Sequence, residues 1–248
     1  MSIFGEALTK TSPSWGGWIT GPTLIGPEEY ARAGYDYVGF DAQHGYLDDA
    51  DIADILRRLE RVPIATAVRL PNADPAPIGR VLDAGADAVF IAMIESADQA
   101  AAAVAATRYA PAGVRSFGPL RSSLGPDPAA HEARVSVFAM IETAAALTNL
   151  GDICAVEGLT GIYVGPADLA ISLGHGPVGA TRHPEVLDAI VRIHGVATEA
   201  GLVTGIHASE GKTGHAMAHL GFKVITLAAE SAALRRGAIE HLHEATGQ

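Results

Sequence analysis

Asp41, His44, Arg69, Glu142 and Asp168 each stand directly after a short apolar run or within four residues of one. These are residue types that move protons, neutralise oxyanions and hold cations. The spacing Asp41-x-x-His44 offers an imidazole that can transfer a proton near neutral pH and a carboxylate able to orient it. It equally describes an aspartate capping a turn beside a surface histidine. Arg69 brings a permanently charged planar fork suited to a carboxylate or an enolate oxygen, or to a structural ion pair. Glu142 and Asp168 could share a hard divalent ion, with waters and substrate oxygens completing an octahedron. Acids in a first helical turn also offset the helix dipole with no ligand at all. Gly165-Pro166-Ala167 opens a helix whose outward amides, Pro166 excepted, can receive a small anion.

Residues so distant in sequence act together only if the fold delivers them to one rim. Eight β-branched and aliphatic runs, at 15–19, 37–41, 64–69, 88–93, 137–141, 161–164, 202–206 and 224–227, alternate with Ala-rich stretches. Most are continuously apolar, as strands covered on both faces must be. Helices are predicted at 27–33, 49–60, 75–84, 97–107, 144–150, 184–200, 210–220 and 231–244, several ending at a glycine suited to a left-handed cap. Eight strand–helix units in 248 residues is the arithmetic of an α/β fold of the (β/α)8 TIM-barrel type, in which reactive groups project from the C-terminal strand ends. An open doubly wound sheet is the alternative, since periodicity does not report closure. The stretch 109–129, rich in Pro, Gly, Ser and Arg, is predicted as a long irregular loop of the functional or mobile kind. With no linker or low-complexity tract, residues 1–248 read as one domain.

Composition narrows the function classes. A net charge of −11 opposes binding to nucleic acid or an anionic leaflet. One cysteine, Cys154, excludes an internal disulfide and a thiolate cluster. With no signal-like segment or membrane-length apolar run in view, a soluble cytoplasmic protein is expected. Trp15 and Trp18, three apart on the first strand, should face differently, with Trp18 the better cavity wall. His175, His183, His207, His215 and His219 lack ligand spacing and read as surface or core residues. Nothing matches a Rossmann loop, a P-loop or a nucleophile elbow.

The ordered set Gly17-Trp18, Ala33-Gly34-Tyr35-Asp36-Tyr37, Asp41-Ala42-Gln43-His44, Val68-Arg69, Leu82-Asp83-Ala84-Gly85-Ala86, Pro111-Ala112-Gly113-Val114-Arg115, Ile141-Glu142-Thr143 and Val164-Gly165-Pro166-Ala167-Asp168-Leu169 runs through nearly the whole chain. Together these segments resemble the HpcH/HpaI family of class II pyruvate aldolases. Its members include 4-hydroxy-2-oxoheptanedioate and 2-dehydro-3-deoxyglucarate aldolases. The resemblance implies a (β/α)8 barrel, a homo-oligomer that is commonly a hexamer with exchanged C-terminal helices, and a divalent ion (Mg²⁺, Mn²⁺ or Co²⁺) held by Glu142 and Asp168. It implies pyruvate as one substrate and an aldehyde as the other. Arg69 would neutralise the enolate oxygen, Gly165 and Ala167 would offer amides to the carboxylate, and His44 would relay protons. Asp41 and Asp83 would tune that histidine, Asp83 by reaching a neighbouring subunit. Met140 stands where relatives often carry glutamine, and no lysine follows a strand at a site position. The rival readings are a phosphoenolpyruvate or acyl-CoA lyase on a similar barrel and a non-catalytic scaffold.

Overall fold

The computed structural model describes residues 2–23 and 25–247. Its eight strands are β1 (Ser14–Ile19), β2 (Tyr37–Asp41), β3 (Ala65–Leu70), β4 (Ala88–Ile91), β5 (Ser136–Ile141), β6 (Gly161–Val164), β7 (Val203–His207) and β8 (Val224–Ala229). All neighbours are parallel, and β8 pairs back onto β1, so the sheet is a closed (β/α)8 barrel rather than an open one. The expected strands are all present, with ends displaced by one or two residues. The displacement matters at β7, which runs through His207 rather than stopping at Ile206.

Strand side chains divide between two cores. Val38, Val68, Val89, Ile91, Ile141 and Ile162 face outward and pack under the helices, while Trp18, Tyr37, Phe90, Phe138, Met140 and Tyr163 fill the barrel. Burial on both faces is why the runs lack polar alternation. The aromatic interior needs small residues across from it. A Cβ on Gly39 would run into the Trp18 ring, so glycine at that point of β2 makes room for the indole. Trp15 is packed in the outer layer, so the two tryptophans face differently as their spacing requires.

Three segments depart from the sequence reading. A helix at Ile3–Leu8, capped by Ser2, was not foreseen, because six residues carry too little periodicity. Its Phe4 packs edge-on against Tyr37, Phe138 and Phe90, with centroids 5.4, 6.1 and 6.3 Å away, and closes the end of the barrel where the strands begin. The helix predicted at 144–150 is broken at Asn149 into Ala144–Thr148 and Leu150–Cys154. The stretch 109–129 is held rather than loose. Arg115 lies over the Tyr109 ring at 4.8 Å and bonds Asp83, Tyr109 Oη bonds His131 Nδ1 at 3.0 Å, and Asp127 caps the helix Pro128–Ala133. No helix among the described residues is long and apolar enough to cross a membrane.

Candidate active site

The C-terminal strand ends surround a cavity of about 630 Å³, lined by Trp18, Asp41, His44, Arg69, Met140, Tyr163, Gly165, Ala167, Asp168 and His207 among others. Asp41 and Arg69 are register partners at the ends of β2 and β3. Their side chains form a two-pronged ion pair, Nε to Oδ1 at 3.0 Å and Nη2 to Oδ2 at 2.5 Å. Asp41 also accepts from Trp18 Nε1 at 3.1 Å and from the backbone amides of Gln43 and His44 at 3.0 and 3.1 Å. Burial alone would raise the Asp41 carboxyl, but the Arg69 bonds and charge outweigh it and hold the group below the ordinary carboxylate range. Arg69 in turn lies 5.4 Å from the Trp18 ring centroid. Two of its five N–H groups face Asp41, leaving three uncommitted to that carboxylate.

This corrects one expectation. Asp41 does not orient the His44 imidazole. It caps the turn carrying His44 through backbone amides and spends its remaining capacity on Arg69 and Trp18. The bland readings of Asp41 as a turn cap and Arg69 as an ion-pair partner therefore describe real contacts, made on the cavity wall. Asp83, expected to act at a neighbouring subunit's site, meets Arg115 within its own chain. It closes the helix Pro75–Asp83 that leads into the start of β4, and its Oδ1 accepts from Arg115 Nη2 at 2.7 Å, away from the cavity lining.

Glu142 follows β5 and is 1% exposed, set behind Gly165 rather than on the lining itself. A Cβ at Gly165 would meet Glu142 Oε2, so glycine is what lets the chain pass over the carboxylate. Glu142 Oε1 accepts the Met93 amide at 2.8 Å, whereas buried Oε2 has no hydrogen-bond partner. Burial, reinforced by the charge of Asp168, raises the Glu142 carboxyl above its usual range against the pull of Met93 N–H and Arg69. Met93 holds a left-handed backbone, φ 57°, and Ser209 on the other side of the cavity does the same at φ 64°. Such residues are uncommon outside glycine and gather where a site demands a particular geometry.

The HpcH/HpaI aldolase/citrate lyase family matches residues 16–236. The chain belongs to this family. It is 36% identical over 236 residues to the hydroxypyruvate/pyruvate aldolase of Rhizorhabdus wittichii, covering 94% of each chain. It is 33% identical to the 4-hydroxy-2-oxo-heptane-1,7-dioate aldolase of Klebsiella pneumoniae, covering 96% of this chain and 91% of that one. The solved HpcH/HpaI aldolase/citrate lyase family protein of Burkholderia cenocepacia superposes with a TM-score of 0.89 at 31% identity, over 99% of this chain and all of that one. Carbon–carbon lyase chemistry of the aldolase type follows from this membership.

For an HpcH/HpaI aldolase the acids invite a test against a divalent ion. Among the described residues no group of three or more His, Cys, Asp or Glu could hold a metal. The pair Glu142 and Asp168 nevertheless fits a hard cation, because the orphaned Glu142 Oε2 and the mutual repulsion of the two acids are both relieved by one. Of the three lysines, Lys10, Lys212 and Lys223, none lines the cavity, so the lining offers no amine for a Schiff base. Reading the sequence missed His207. It ends β7 as Arg69 lies near the end of β3, and following β7 one residue further would have found it by the same rule. Its ring stands edge-on to Trp18, with centroids 5.2 Å apart.

Proposed function

We propose that this HpcH/HpaI aldolase reversibly joins pyruvate to an aldehyde, giving a 4-hydroxy-2-oxo acid, with a divalent ion held by Glu142 and Asp168. The observation that carries the reading is the partnerless Glu142 Oε2, buried behind Gly165 at a cavity whose lining includes Asp168 and Arg69, an arginine with N–H groups uncommitted to Asp41. When bound, the ion would supply Lewis-acid stabilisation of the developing enolate. The uncommitted N–H groups of Arg69 hold the same oxygen as charge grows on it, and Asp41 fixes the guanidinium in advance, so little reorganisation accompanies the step. The amides of Gly165 and Ala167, at the opening of the helix Pro166–Ser172, receive the keto-acid carboxylate. Trp18, Tyr163 and Met140 line the cavity beside them and restrict water.

His44 moves the proton. The C3 proton of pyruvate leaves, C3 bonds the aldehyde carbon, and the former aldehyde oxygen takes a proton to become the 4-hydroxyl. Cleavage retraces these steps. The exposed C-terminal helix Glu230–Thr246 has no buried residue, and with the resemblance this supports assembly into a hexamer by helix exchange. In that assembly Asp83 would reach a neighbour's site.

Exchange of the pyruvate methyl protons with deuterium, followed by NMR with and without Mg²⁺ or Mn²⁺, tests the core of the reading. Wild-type protein should exchange only when metal-loaded, and Glu142→Ala or Asp168→Ala should lose roughly 10³-fold, the equivalent of several kcal/mol of charge stabilisation. Metal-independent exchange, or full exchange by both variants, would reject it.

A further inference from the structure

Outside the barrel mouth, the helix Gly211–Leu220 carries two histidines, His215 in its second turn and His219 in its last. Taken singly they read as surface residues without ligand spacing. The helix corrects that expectation, because side chains four residues apart stand one above the other on the same face. Both are exposed, whereas Gly214 and Met217 are the residues this helix buries. Their Nε2 atoms lie 3.0 Å apart, and the rings meet at 85° with centroids separated by 4.4 Å.

A hydrogen bond between neutral imidazoles is the plain account of that contact, yet on an open surface water would serve each ring about as well. Metal geometry explains the separation itself. Imidazole nitrogens hold first-row divalent ions at about 2.0–2.1 Å, so nitrogens 3.0 Å apart subtend roughly 90–97° at a shared ion. That is the cis angle of a square-planar or tetragonal shell, the geometry of Cu²⁺ and Ni²⁺. A tetrahedral ion would need the two nitrogens about 3.3–3.4 Å apart. With both rings in the tautomer protonated at Nδ1, both Nε2 lone pairs are available.

The backbone beneath the pair is fixed. A Cβ at Gly214 would meet Leu227 of β8, so the helix is seated directly on the strand one residue before His215. Gly221, at φ 106°, closes the helix two residues after His219, and the negative end of the helix dipole favours added positive charge there. Neither histidine lines the cavity. Two borderline-soft nitrogens also select differently from the carboxylates of Glu142 and Asp168, which suit a hard ion.

We propose that His215 and His219 form a second metal site, a two-nitrogen clamp for Cu²⁺ and, less tightly, Ni²⁺, with water in the remaining positions. The N-cap Glu210 and the first-turn Thr213 of the same helix line the cavity. An occupied clamp therefore staples the helix that builds this part of the wall, without touching the reacting atoms.

The test titrates tag-free wild type with Cu²⁺ in excess Mg²⁺ and follows it by electron paramagnetic resonance. Nitrogen splitting from two equatorial imidazoles should appear. His215→Ala and His219→Ala should each lose that pattern and weaken copper binding at the pair by at least roughly tenfold, because the second ligation is intramolecular. His215→Ala combined with Ala216→His rebuilds a pair with His219 three residues apart and should restore both readouts. A two-nitrogen pattern that is absent from wild type, or that survives loss of either histidine, overturns the assignment. So does a rebuilt pair no better than the single variants, or Zn²⁺ that displaces Cu²⁺ from the pair at equal concentration.

Discussion

Asp41 does several jobs at once. Its carboxylate closes the turn after β2, accepts the Trp18 indole and clamps Arg69. Replacing it by asparagine leaves a buried guanidinium without its counter-charge, a loss of roughly 3–5 kcal/mol. Because the folded protein holds the Asp41 carboxyl below its unfolded value, that contribution is present above the unfolded pKa and disappears as pH falls through the folded one. Denaturant unfolding of wild type and Asp41→Asn should therefore differ most near neutrality and converge well below pH 4. A gap that stays constant down to the acid limit would show the loss to be steric. At this scale the sequence is half legible. It names Asp41, Arg69, Glu142 and Asp168 by type and position, but an Asp-x-x-His spacing does not say whether carboxylate and imidazole meet, and here a guanidinium one strand away takes the carboxylate.

Strands were the most readable elements, since burial on both faces leaves a continuous apolar signature that needs no partner to interpret. Their ends were less so. Arg69 and His207 are half-buried polar residues that still belong to the ladder, and an apolarity criterion stops before such residues in β7. The segment 109–129 was opaque because its order comes from contacts with Asp83, Glu132 and His131, at long range or across a short helix. Within the barrel the glycines are volume choices. Gly39→Ala should force the indole of Trp18 aside, lowering stability by about 1–3 kcal/mol, as overpacking does, and disturbing the Arg69 contact with it. Thermal melts and pyruvate exchange would report the two effects together, and a variant as stable as wild type would mean the ring has room to yield.

Across the whole molecule, closure of the barrel brings residues 41, 69, 142, 168 and 207 to one mouth, a convergence that no linear pattern encodes. The helix Glu230–Thr246 carries Leu234 at 75% and Leu242 at 61% exposure, surface that a partner copy is proposed to cover. Light scattering of Leu234→Glu with Leu242→Glu should give a smaller particle than wild type. Equal masses would assign that face some other role. The Phe4 plug has its own kinetic consequence. With the opposite end stoppered by aromatic rings, traffic has a single doorway, and whichever reactant sits deeper must arrive first and depart last. Initial-rate patterns should thus be sequential and ordered, the keto acid leading and the aldehyde following, and an excess of aldehyde should slow turnover by blocking the threshold.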